Sequence, residues 1–217
     1  MCIIIAKKAG EPLDMDFLEK SIRTSAKRNN DGAGYAIKTP EGNVEFDKGF
    51  FNTESFIRAI RNLDIGDDTE FVAHLRYTTA GKTDQHGCHP YVADPTLIRN
   101  TSLPKVTAPL VFHNGTFYSY RKTGNDSDTF NFVKDALSKP GAVDMLEEMK
   151  TTKNPMLDTI LSFNKLAIMR PDNELLLLGD FIYEEGLYMS NTYYKFPWSG
   201  KGDVTNAVHL DQLVFSD

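Results

Sequence analysis

Only two of the 217 residues are cysteine, Cys2 and Cys88. Two thiols are too few for a disulfide scaffold, so the chain reads as a reduced, cytoplasmic protein. Long apolar runs are also missing, and none approaches the roughly 18 residues of a membrane-spanning helix. The apolar stretch 2–6 has no basic segment before it and is too short for a secretory signal core. Basic charge is in deficit: 24 Lys and Arg face 30 Asp and Glu, for a net charge of −6. That balance argues against a nucleic-acid backbone as the main partner. No internal repeat, low-complexity tract or linker divides the chain, so one domain over 1–217 is expected. The 41% hydrophobic and 25% charged content is that of an ordinary globular protein.

What is present comes in clusters. Residues 2–7 read as a short buried strand, because Ile3, Ile4 and Ile5 are consecutive and β-branched. Asp14 is placed to cap a helix whose Phe17, Leu18, Ile22 and Ala26 fall at helical spacing. The turn cluster 29–34 carries Gly32 and Gly34, which permit positive φ and close backbone approach. Segments 34–39 and 44–50 form a predicted hairpin, and Asn52 or Thr53 caps a helix buried through Phe56, Ile57, Ile60 and Leu63. Residues 70–77 alternate as a strand that puts His74 and Arg76 on one face.

A polar loop, 78–89, follows. Residues 92–107 lack periodicity and hold two prolines, so they read as a surface insertion. A strand over 109–113 runs into Asn114-Gly115, a turn signal. Ser127 or Asp128 caps a helix reaching Leu137, and helices are expected over 142–150 and 156–163. Strands follow over 165–169, 174–179 and 187–194, and an apolar tail, 207–215, could dock on the body. Hairpins outnumber βαβ alternation, which predicts an α+β architecture of antiparallel sheets with helices packed outside.

Four features carry chemistry. Cys2 becomes the N-terminus if Met1 is removed. Its thiol and α-amine then share one residue, a nucleophile with its own base. Arg76, at a strand end and followed by hydroxyls and Gly81, suits a bidentate grip on a carboxylate. Asn114 and Gly115 can offer a side-chain amide and a backbone N–H to one spot, the donor pair of an oxyanion hole. Asp128, at a helix start, can bind a cationic amine. Each has a plainer use: packing for Cys2, a surface ion pair for Arg76, a turn for Asn114-Gly115, a helix cap for Asp128. Together they describe attack on the side-chain amide of an amino acid.

In order and spacing these motifs resemble the class II glutamine amidotransferase family, the N-terminal-nucleophile glutaminases. Met1-Cys2 precedes an apolar strand. Asp31-Gly32-Ala33-Gly34 is similar to the family's DGxG turn, and HLRYTTAG at 74–81 to its H-x-R-[WY]-x-T-x-G. His89-Pro90, the Asn-Gly of 114–115 and the Ser-Asp-Thr of 127–129 follow in order. The resemblance implies a four-layer αββα sandwich of two mainly antiparallel sheets covered by helices. It implies Cys2 as nucleophile, and Arg76 with Tyr77 and Thr79 at the glutamine carboxylate end. Asn114 and Gly115 would form the oxyanion hole, and Asp128 would receive the ammonium. It implies L-glutamine as substrate, a separate ammonia-accepting enzyme as partner, and neither cofactor nor metal. Ala80, Gly87 and Phe130 stand where many members have His, Asn and Glu.

Two other functions use the same residues: hydrolysis of a γ-glutamyl or other amide, and a non-catalytic binding role on an amidotransferase-like fold. A third reading takes His86, Cys88 and His89 as metal ligands, although ligands so close in sequence rarely complete one tetrahedral site.

Overall fold

The structure, a computed structural model, describes residues 1–196, and the tail segment 207–215 lies outside the described residues. The first strand, β1 (Ile3–Lys7), is buried along its whole length. The chain continues through α1 (Met15–Ala26), β2 (Ala33–Lys38), β3 (Val44–Phe50), α2 (Thr53–Arg61) and β4 (Glu70–Leu75). Then come β5 (Tyr91–Val92), β6 (Ser102–Leu103), β7 (Leu110–Asn114) and α3 (Asp128–Phe132). The series closes with α4 (Ala142–Thr151), α5 (Pro155–Leu161), β8 (Lys165–Met169), β9 (Leu176–Leu178), β10 (Ile182–Glu184) and β11 (Leu187–Met189).

The fold is α+β, with two antiparallel sheets. The larger runs β10-β11-β1-β4-β2-β3-β6 and the smaller β5-β7-β8-β9. Period-two alternation sorts the side chains into layers. Ile3, Ile5, Phe71, Ala73 and Leu75 pack with Leu18, Ile22, Phe56 and Ile60 of α1 and α2. The opposite faces of the same strands, through Ile4, Ala6, Ala36 and Val72, meet Leu110, Phe112, Ala167 and Met169 of the smaller sheet. The far face of that sheet, Val111, Leu166 and Ile168, packs under α3, α4 and α5. Three apolar cores therefore separate helices, sheet, sheet and helices. Each fully buried Ile or Leu contributes about 1.5–3 kcal/mol, so β1, buried on both faces, is anchored firmly.

The expected helix starts hold. Asp14 accepts the Phe17 N–H at 3.0 Å and Asn52 the Ser55 N–H at 2.9 Å. Four expectations need correction. The 92–107 segment is no surface insertion: β5 joins the smaller sheet, β6 pairs with β3 of the larger one, and Ile98 and Val106 are buried. It stitches the two sheets with two-residue strands, too short to leave a periodic pattern. The helix expected to reach Leu137 is α-helical only to Phe132, then forms a π-helical turn over Val133–Leu137, where Ser138 N–H donates to Val133 O at 2.8 Å. The strand expected over 187–194 ends at Met189, and its hairpin partner β10 carried no alternation signal. Asn114 ends β7 in register with Lys165 rather than opening a turn.

One glycine is fixed by a close approach rather than by a turn. A Cβ on Gly34 would lie 2.1 Å from His89 O and 2.6 Å from Lys48 Cβ. Gly34→Ala must push these segments apart, and the expected loss is about 3 kcal/mol or more, measured as a lower urea midpoint. An unchanged midpoint would mean that the 78–89 loop does not pack on β2 as described.

Candidate active site

Register brings the candidate residues to one end of the space between the sheets. Ile3 pairs with Leu75 and Ile4 with His74, and one further step sets Cys2 beside Arg76. By alternation Cys2, His74 and Arg76 share the inter-sheet side with Ile4 and Val72, and Asn114 shares it with Phe112 from the facing sheet. The Cys2 Sγ accepts the Tyr77 N–H at 3.4 Å and lies 3.6 Å from Tyr77 O. Asn191 Nδ2 donates to Cys2 O at 2.7 Å, which fixes the Cys2 backbone. Burial raises the Cys2 thiol above its ordinary value. The Tyr77 hydrogen bond, the chain's α-amine and Arg76 pull it back down, and Asp128 pushes it up. Both charged candidates are thus close enough to be felt at the sulfur.

The DGxG turn pins the strand end that presents Arg76. Arg76 N–H donates to Gly32 O at 2.8 Å, Asp31 N–H to Arg76 O at 3.1 Å, and Thr78 N–H to the Asp31 carboxylate at 2.7 Å. Arg76 is only 3% exposed. It is not a surface ion pair: Nη1 donates to Lys82 O at 2.7 Å and Nη2 to Ala80 O at 3.1 Å. The guanidinium therefore shapes the 78–89 loop and also lines a polar cavity of about 330 Å³ with Lys82, Asp84, Arg99 and Ser127. Tyr77 and Thr79 are exposed on that loop.

Asp128 does not cap its helix. Ser127 Oγ takes the cap by accepting Phe130 N–H at 3.0 Å, while the Asp128 carboxylate accepts Phe117 N–H at 2.6 Å. One of its oxygens is engaged and the group is 7% exposed. Asn114 Nδ2 donates to Ser190 Oγ at 3.0 Å, and Asn114 Oδ1 has no partner among the described residues. Gly115 holds φ 150°, and a Cβ there would fall 2.4 Å from Asn164 Oδ1. Only glycine fits beside that amide.

Asn164 had no role in the sequence. Its Oδ1 accepts Thr116 N–H at 2.8 Å, so His113 Nε2, 2.9 Å from the same oxygen, must be the protonated nitrogen. His113 Nδ1 then accepts from the Thr129 hydroxyl at 2.6 Å. His74 Nε2 donates to His113 O at 3.1 Å, and the His74 and His89 rings lie 4.1 Å apart, tilted by 38°. Burial holds all three histidines below their usual range, His74 at about 3 and His113 at about 4. The structure does not bring the proposed metal ligands together. His86 Nδ1 meets Arg99 O at 2.9 Å, Cys88 sits under Gly32, and His89 packs against the His74 ring. Among the described residues no group of three His, Cys, Asp or Glu converges to hold a metal. No described helix is long and apolar enough to cross a membrane.

Compared with known proteins, the chain matches no family model and no curated sequence.

Proposed function

We propose that this chain hydrolyses the side-chain amide of L-glutamine through Cys2, in a fold of the N-terminal-nucleophile type, and delivers ammonia to a separate acceptor enzyme. One observation carries the reading: strand register sets Cys2, at the head of an inner strand buried on both faces, beside Arg76, and the charges that bear on its thiol include both Arg76 and Asp128. Those are the two charges that a free amino acid needs for its carboxylate and ammonium ends. Asn114, on the facing sheet, is tied to the same strand through Ser190.

On this reading Met1 is removed and the Cys2 amine takes the thiol proton. The sulfur attacks the amide carbon, and the developing oxyanion is met by Asn114 Nδ2 and the Gly115 N–H. The carbon–nitrogen bond breaks, the nitrogen leaves as ammonia with the transferred proton, and a thioester remains. Water then adds to the thioester, releasing glutamate and restoring the thiol. Both cysteines are free thiols, which fits a reducing, cytoplasmic setting.

Asp128→Asn is the cleanest test of the ammonium clamp. The amide oxygen still accepts Phe117 N–H, so the local structure keeps its bond and loses only the charge. Glutaminase assays are expected to show KM for glutamine raised about 30-fold, the value of one charge-assisted hydrogen bond. An unchanged KM would rule out Asp128 as the ammonium site.

A further inference from the structure

Asn114 is held by a residue far away in the chain. Ser190 is fully buried and bonded at three atoms. Its N–H donates to Ile4 O at 3.0 Å, and its carbonyl accepts Lys165 Nζ at 2.7 Å. Its hydroxyl oxygen accepts Ile4 N–H at 2.8 Å and Asn114 Nδ2 at 3.0 Å. A hydroxyl oxygen has two lone pairs, and both are used here by donors from different sheets. One, Ile4 N–H, belongs to the strand that carries Cys2. The other belongs to the amide read as the oxyanion donor. Asn114 Nδ2 has two protons, and Ser190 fixes one, which leaves the direction of the other determined.

We infer that Ser190 is the positioning residue of the site, its hydroxyl setting the Asn114 amide in place relative to the backbone of Cys2. The inference rests on the glutaminase reading for its kinetic consequence, but the clasp itself is a structural claim. It explains why a serine directly follows β11 at a position with no access to solvent. Alanine would keep the two backbone bonds, remove the link between the sheets, and leave the buried Ile4 N–H without that acceptor. Asn114 Oδ1, already without a described partner, would then let the amide turn.

The test compares Ser190→Ala, Ser190→Cys and Asn114→Ala in the full chain. Ser190→Ala is expected to lower kcat roughly 10- to 100-fold, part of the loss that follows removal of an oxyanion donor. KM and the rate of Cys2 alkylation by iodoacetamide should stay within about threefold, because neither uses the Asn114 amide. In the Asn114→Ala background the further loss from Ser190→Ala should shrink below about twofold. Ser190→Cys keeps the size and a weak acceptor, so it should fall between wild type and Ser190→Ala, and it serves if Ser190→Ala does not fold. Side-chain NMR gives a reading that needs no turnover. The Asn114 amide protons, assigned through Asn114→Ala, should exchange at least about tenfold faster with water in Ser190→Ala. A kcat within threefold of wild type, or multiplicative losses in the double variant, would overturn the proposal, as would unchanged amide exchange. If the wild type hydrolyses no glutamine, the functional reading fails and the amide exchange alone decides the clasp.

Discussion

Glutamine turnover is expected to fall by at least about 10⁴-fold in Cys2→Ala, the scale seen when a catalytic nucleophile is deleted. Cys2→Ser should be almost as inactive, since a hydroxyl has a far weaker acid to lose and the site offers only one amine as base. The fold should survive both changes, because Ala and Ser are no larger than Cys and the strand begins one residue later. The same loss is expected when Met1 is retained. The Cys2 nitrogen is then a peptide nitrogen with no basic lone pair, and the α-amine belongs to Met1. That amine is itself half-buried, which lowers its pKa, while the neighbouring thiol raises it. Asn29 Nδ2 holds the Met1 carbonyl at 2.8 Å. Intact-mass measurement with and without a glutamine-like affinity reagent checks both statements on one sample. Label should appear on Cys2 only in molecules that have lost Met1. Full turnover by protein that keeps Met1 would remove the Cys2 amine as base, and more than about 1% activity in Cys2→Ala would remove Cys2 from the mechanism.

The strands that build the site were legible because a strand writes its faces into alternate residues. Ile3 to Ile5 and Phe71 to Leu75 declare their layers by composition alone, and the Arg76 and His74 face followed from parity. The helix starts were legible through capping residues. What could not be read was anything set by pairing across the chain. Asn114 and Ser190 are 76 positions apart, and His113 and Asn164 are 51 apart. Nothing local marks a serine or an asparagine as the far end of such a bond. A signal did exist for Ser190: by alternation it follows Tyr188 on the face opposite Leu187 and Met189, toward the smaller sheet, so a polar residue there invited the question of its partner. Arg76 illustrates the opposite limit. The sequence offered it a choice between a surface ion pair and a carboxylate clamp. The structure adds bonds to Ala80 O and Lys82 O, so Arg76→Ala would disturb the loop and the site together.

The buried imidazoles make a second large effect, on stability rather than turnover. His74 titrates at about 3 and His113 at about 4, and His89 lies well below its ordinary value of 6.5. Burial is the leading cause for each. Arg76 adds to the lowering at His74 and His89, and Lys48 at His89, whereas Asn164 and Asp128 oppose it at His113. In the unfolded chain all three bind protons near pH 6.5, while the folded chain stays neutral there. Stability is therefore intact above pH 6.5 and falls as pH drops toward 4. The limiting slope is three protons, about 4 kcal/mol per pH unit.

His89 separates this from ordinary acid unfolding. Its two ring nitrogens have no partner among the described residues, and it packs tilted against His74 and meets Tyr91 edge-on at 4.8 Å. His89→Phe keeps an aromatic ring between His74 and Tyr91 and removes one titrating group. Urea titrations are expected to show this variant gaining about 2 kcal/mol more, relative to wild type, at pH 5 than at pH 7.5, the linkage of one histidine over about 1.5 pH units. A difference that is the same at both pH values would mean that His89 takes up no proton on unfolding. The acid limb would then belong to carboxylates such as Glu147, whose pKa is lowered by its Arg170 partner.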